Sequence, residues 1–129
     1  MSSNSQSLRL ALRVTAIISV FWCISHWFFP VAYHRFMGFG SYPADSGFTL
    51  LATYLIAALA LGYAYGAWKA AADPAGHRTV IHMLLIGGFS SFGVFLFQAI
   101  RAGLPAPEWI TIAVLGVCSL WVLLSSRGA

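Results

Sequence analysis

With 129 residues of which 60% are hydrophobic and 8% charged, the chain lies far from soluble domains, which run about 45–50% apolar and about 25% charged. So few charges cannot cover a water-facing surface, and an aromatic content of 16% excludes the disordered class. The net charge of +4 comes from seven Lys and Arg against three Asp and Glu; they are scattered singly, so the composition implies a lipid bilayer as partner and no nucleic acid.

A helix rising 1.5 Å per residue needs roughly 20 apolar residues to cross a bilayer core, and inside that core unsatisfied backbone groups force helices over open sheets. The first stretch that meets the requirement is Leu8 to Phe29. Arg9 and Arg13 lead into it, but no small-x-small cleavage site closes it, so it reads as an uncleaved first span. Ala11, Thr15, Ser19 and Cys23 form a small-residue stripe along it. Pro30 ends it, and the segment up to Gly47, with Gly38, Gly40, Pro43 and Asp45, reads as a turn-rich loop, the longest in the chain and the best placed for contacts outside the membrane.

The second span, Phe48 to Ala71, carries Ala58, Gly62 and Gly66 at four-residue intervals. That small-xxx-small pattern lets helices approach closely in lipid. Asp73-Pro74-Ala75-Gly76 is a turn signature before the third span, Thr79 to Arg101, whose small face is Gly87, Ser91 and Ser90. A second turn, Gly103 to Pro107, leads to the fourth span, Pro107 to Ser125. The fold expected is all-α: one domain, residues 1–129, a four-helix transmembrane bundle with antiparallel neighbours. With the N-terminus inside, Arg9, Arg13, Lys69, Arg78 and Arg127 fall on the cytoplasmic side and Arg35 and Arg101 outside, so the positive-inside rule gives N-in and C-in. The small faces are expected to meet one another, or one of them to form a dimer or partner seam.

Chemistry-bearing residues are few. Intramembrane polar groups are functional suspects, and His26 leads them because it continues the stripe of the first helix. Gln98 falls at a similar depth on the third helix and Tyr54 early on the second, so His26, Tyr54 and Gln98, with Arg101 and Glu108 above, would make a pocket open to the periplasm. The plainer reading is that His26 and Gln98 satisfy each other or interfacial water. His77 and His82 lack the i, i+4 spacing of a helix-borne metal site and read as snorkelling or loop-capping residues. A bis-histidine haem needs two rings at one depth; His26 and His82 are at opposite ends, and His34, the other arithmetic choice, falls in the loop. No catalytic residue, metal site or cofactor is implied, and Cys23 and Cys118, both within apolar segments, read as buried small residues.

Asp45, Asp73 and Glu108 all lie in loops or at a helix end, so no span has a central carboxylate for proton-coupled export. Zinc, serine-nucleophile and phosphate-loop motifs are missing too.

Four spans in 129 residues, an aromatic-rich first helix ending at Pro30, Gly38 near the following turn, Gly62 and Gly66 in the second helix, and Asp73-Pro74 with His77-Arg78 before the third together make a pattern. It resembles that of the small bacterial DoxX-like membrane proteins. The resemblance implies a four-helix bundle in a bacterial inner membrane, in a group whose roles range from oxidoreductase partners to unassigned components. Three functions follow as expectations. The first is a non-enzymatic accessory subunit of a larger redox or photosynthetic membrane complex, docking through its small-residue and aromatic faces onto a protein partner or a second copy. The second is a small-molecule or quinone-binding protein that uses the pocket of His26, Tyr54 and Gln98. The third is a small-solute transporter.

Overall fold

The computed structural model describes residues 3–40 and 47–127. All the regular structure among them is helical: α1 (Ser3–Phe28), α2 (Pro30–Phe36), α3 (Gly47–Ala72), α4 (Arg78–Ala102) and α5 (Glu108–Ser126). α1, α3, α4 and α5 are long and apolar enough to cross a membrane, and their ends fall close to those read from hydropathy, except that α1 begins at Ser3 rather than Leu8. Their outward surfaces carry large apolar side chains such as Leu59, Ile86 and Ile100, all well exposed, a surface that only lipid can solvate without cost.

α2 corrects the loop reading of the segment after Pro30. Phe29 leaves helical geometry, and Pro30 then serves as the first residue of a new helix, where its missing N–H would be unpaired anyway. α2 stops at Gly38, whose φ of +94° suits glycine and whose missing side chain lets Pro105 of the α4–α5 connection sit against it. Pro43 and Asp45 lie outside the described residues.

The helices contact one another in the cycle α1–α3–α4–α5, with α1 against α3 the most extensive pairing and α3 against α4 the least. Side-chain bonds gather the start of α1 with the ends of α3 and α5. Arg9 donates to the Ala71 and Ala72 carbonyls at 3.2 and 2.5 Å, satisfying orphan groups at a helix C-terminus with a cation the dipole favours. Ser7 bonds Ser125 at 2.8 Å and accepts from the Trp121 indole at 3.0 Å. The buried apolar core, Leu8, Ala11, Leu12, Ala16, Ala67, Ala70, Ala71, Ile81, Leu84 and Val122, is concentrated toward this same end of the bundle.

The small-residue stripe of α1 is buried as its spacing suggested: Ala11, Thr15, Ser19 and Cys23 all face inward. On α3, however, the buried face is Thr53, Ala57, Ala64, Ala67 and Ala71, one residue round from the Ala58, Gly62, Gly66 stripe. α3 is apolar around its whole circumference, so its sequence holds two stripes of small residues and hydropathy does not choose between them. The alanine stripe is buried; a methyl group built on Gly62 meets nothing within 4 Å.

Tyr63 ties α3 to α4. Its ring lies against Gly87, and its hydroxyl donates to the Leu84 carbonyl beside Gly88. A methyl group on Gly88 would collide with the Ser119 hydroxyl and come within 3.0 Å of the Tyr63 hydroxyl. Gly88→Ala is therefore expected to lose about 1–3 kcal/mol, the usual penalty for overpacking, measured as the unfolding midpoint in mixed micelles. Gly62→Ala, with open space around it, should lose nothing.

Candidate functional site

Two features stand out where the bundle loosens: a chamber among the four long helices, and a polar aromatic cluster at the end away from the termini.

The chamber, half open to the surface, has a volume of about 750 Å³. Its walls come from α1 (Leu12, Thr15, Ser19, Trp22), α3 (Leu59, Gly62, Tyr63, Gly66), α4 (Met83, Gly87, Gly88, Ser91, Phe95) and α5 (Val114, Cys118, Ser119) among others, with no charged residue in the lining. Leu59, Gly62 and Met83 in that lining are also exposed, so the chamber opens outward between α3 and α4, the least-contacted pair of neighbours. All five residues expected at a helix seam, Ala58, Gly62, Gly66, Gly87 and Ser91, line this space. Gly66 packs on Val80 and Leu84, and Gly87 on Tyr63; Ala58 is exposed, and a methyl group on Gly62 would meet none of the described residues within 4 Å.

Small hydroxyls and one thiol interrupt the apolar wall near the middle of the helices. Ser19 spends its proton on the Thr15 carbonyl at 2.8 Å, the back-bonding common to serine within a helix. Thr15 Oγ1 is buried with no hydrogen-bond partner, its near polar neighbour being the Cys118 thiol. Cys118 is half-buried here, while Cys23 is buried on α1; both are free thiols.

The cluster at the other end is organised by α2. His26, buried, packs against Tyr33 with tilted rings whose centroids are 4.4 Å apart and meets His34 edge-on at 5.4 Å. Both His26 nitrogens are engaged within its own helix: Nδ1 lies 2.9 Å from the Trp22 carbonyl, and Nε2 accepts the Trp22 indole N–H at 3.1 Å. That pattern fixes the neutral tautomer with the proton on Nδ1 and leaves no ring lone pair for a metal. His34 Nδ1 is 2.7 Å from the Pro30 carbonyl. Beyond Tyr33 stands Glu108, the first residue of α5, 5% exposed, with Thr111 beside its carboxylate and Oε2 buried without a partner. Burial, and then the Glu108 charge, push the Tyr33 phenol above its ordinary range, against the opposing effect of hydrogen bonds from Thr111 and Trp22.

The pocket read from sequence is placed differently. Of His26, Tyr54 and Gln98, only His26 is interior; Tyr54 and Gln98 are exposed. Gln98 is not the partner of His26, since Trp22 is. Arg101 is exposed and lies over the Phe97 ring at 5.8 Å, away from Glu108's buried carboxylate. His34 falls in the segment that reads as a loop, and only the helical turn after Pro30 brings it and Tyr33 over His26; Pro at a first helical position is the signal available. His77 does cap the α3–α4 turn, its Nδ1 lying 2.9 Å from the Asp73 carbonyl, while His82 is exposed on α4. Among the described residues no group of three or more His, Cys, Asp or Glu is arranged to hold a metal ion.

The chain matches no protein family, and no curated protein or solved structure is similar to it.

Two outcomes test the cluster. Glu108→Gln removes a buried carboxylate with an unpaired oxygen, so the unfolding midpoint at neutral pH should stay level or rise; a fall equivalent to about 3 kcal/mol would mean the carboxylate is held by a cation. A phenol raised on folding stabilises fully below its unfolded value near 10, and that stabilisation drains away as pH climbs through 10 toward the folded value. Tyr33→Phe should accordingly flatten the alkaline limb of the stability profile above about pH 10, followed by circular dichroism.

Proposed function

We propose that this chain is a non-enzymatic, multi-pass protein of a bacterial inner membrane, similar in kind to the DoxX-like group, whose bundle holds a lipophilic small molecule. The observation that carries the reading is the chamber. About 750 Å³ of mostly apolar, half-open space lies within the range of small-molecule sites, roughly 300–1,000 Å³. Glycines at 62, 87 and 88 keep it unfilled where larger residues would close it.

The sidedness proposed is N-in and C-in with antiparallel neighbours. Arg9 and Arg13 of α1, Lys69 of α3, Arg78 of α4 and Arg127 belong to the end where the termini meet, and cations favour the cytoplasmic face. Trp22, Trp27 and Trp109 then fall toward the periplasmic interface, where amphipathic rings are favoured.

A second reading keeps the accessory-subunit role in a redox or photosynthetic complex. It is supported by the α3–α4 opening, where Gly62 and Ala58 would admit the helix of a partner or of a second copy. Solute transport has less behind it, since no span carries a central acidic residue for ion coupling.

Purification from native membranes in a mild detergent, followed by native mass spectrometry, distinguishes them. One small lipophilic molecule per chain is expected, absent from a folded Gly62→Phe variant whose ring fills the chamber. A retained polypeptide with no small molecule would replace the first reading by the second, and a bare monomer would remove both.

A further inference from the structure

Resting on the chamber as a ligand site, we infer that its occupant is a neutral lipid with a single hydroxyl or carbonyl group, seated at mid-depth and admitted from the membrane between α3 and α4. Three observations lead there.

The walls exclude charge. Among the described residues no Lys, Arg, Asp, Glu or His lines the chamber, and a phosphate or amine headgroup drawn into such a place would be buried without a counter-ion. An ordinary phospholipid, whose headgroup stays at the interface, could offer only its tails.

The walls also disfavour a pure hydrocarbon. Thr15, near the middle of α1 and nine-tenths buried at 9% exposure, has an Oγ1 with no oxygen or nitrogen partner, only the weakly accepting Cys118 sulfur within reach. Opposite it Ser119 and Tyr63 bring their hydroxyls together over the bare backbone of Gly88. Tyr63 has committed its proton to the Leu84 carbonyl, and its oxygen faces the Gly88 N–H. These groups, with the Cys118 thiol beside Thr15, form a belt that can give a hydrogen bond to a carbonyl or exchange one with a hydroxyl. A saturated chain at this level would leave Thr15 Oγ1 with no partner better than the thiol.

The opening sets the route. It lies along the sides of α3 and α4 through exposed Leu59, Gly62 and Met83, residues within membrane-spanning helices. The end of the chamber toward α2 is walled by Trp22 and Phe95, whose rings stand 6.0 Å apart. Trp22 is held there by its bond to His26. Access is therefore sideways from lipid.

The test uses three prenyl probes of equal length: geranylgeraniol, geranylgeranyl monophosphate and the matching hydrocarbon. Each is titrated into the full chain in dodecyl maltoside at a fixed probe-to-detergent ratio, with bound probe counted by native mass spectrometry. Geranylgeraniol should bind about tenfold more tightly than the hydrocarbon, the worth of one net hydrogen bond, and the monophosphate most weakly. In Thr15→Val/Ser119→Ala the alcohol's advantage should fall to about one- to twofold while hydrocarbon binding is kept. Thr15→Val alone, which changes a hydroxyl for a methyl, should lose part of the advantage and guards against misfolding of the pair. Equal binding of alcohol and hydrocarbon in the unaltered protein, or tightest binding of the monophosphate, would overturn this inference and leave the chamber as a ligand site. If none of the three binds, and Gly62→Phe behaves as the unaltered chain does, the ligand-site reading falls as well.

Discussion

The architecture turns on the contact between α1 and α3. In lipid there is no hydrophobic drive between helices, so association relies on dispersion and on how near two backbones can come. Ala57, Ala64, Ala67 and Ala71 on α3 and Ala11, Ala16 and the small polar stripe on α1 are almost wholly buried, and this is the most extensive helix pairing in the molecule. Arg9 then fixes the register of the pair by bonding the last carbonyls of α3. Once α3 has spent its alanine face on α1, its glycine face must look elsewhere. α4 reaches it at Gly66 and through the Tyr63 crossbar, and space remains at Gly62. The chamber is thus a consequence of which of two small stripes was used for packing.

The same reasoning explains what could be read from the sequence. Four spans were legible because the rule that governs them, apolar length against bilayer thickness, depends on composition and not on partners. Their ends were legible because Asp73-Pro74 and the Gly103–Pro107 segment are turn chemistry. α2 was not, since Gly38, Gly40 and Pro43 dominate the composition of that segment, and a proline that ends one helix can also begin another. Nor was the chamber. Small-xxx-small spacing is identical whether a second helix lies on it or nothing does, and α3, apolar on every side, gives no second cue.

His26 illustrates the opposite problem, a correct suspicion about burial joined to the wrong neighbours. Its depth and facing were inferred from the α1 stripe, and it is buried. Its partners, though, depend on a residue four positions back on its own helix and on the turn of α2, neither of which is a long-range pattern. Trp22 satisfies both imidazole nitrogens, so a buried histidine becomes a neutral structural element, as polar groups in lipid must when no partner crosses from another helix.

Trp22 also joins the two features that the bundle leaves open. Its ring is one wall of the chamber, and its N–H is committed to His26 in the cluster under α2. The chamber therefore has a firm end on that side only while His26 stays neutral, because a proton on Nε2 would turn the acceptor into a donor and expel the indole. His34 meets the imidazole edge-on and Tyr33 packs against the same ring, with Glu108 beyond Tyr33. Glu108 keeps an oxygen unpaired within this group, a cost that a fold built for stability alone would have removed by placing a donor there. The chamber wall and the histidine cluster share one side chain, and any ligand that displaces Trp22 must act against that hydrogen bond as well as against packing.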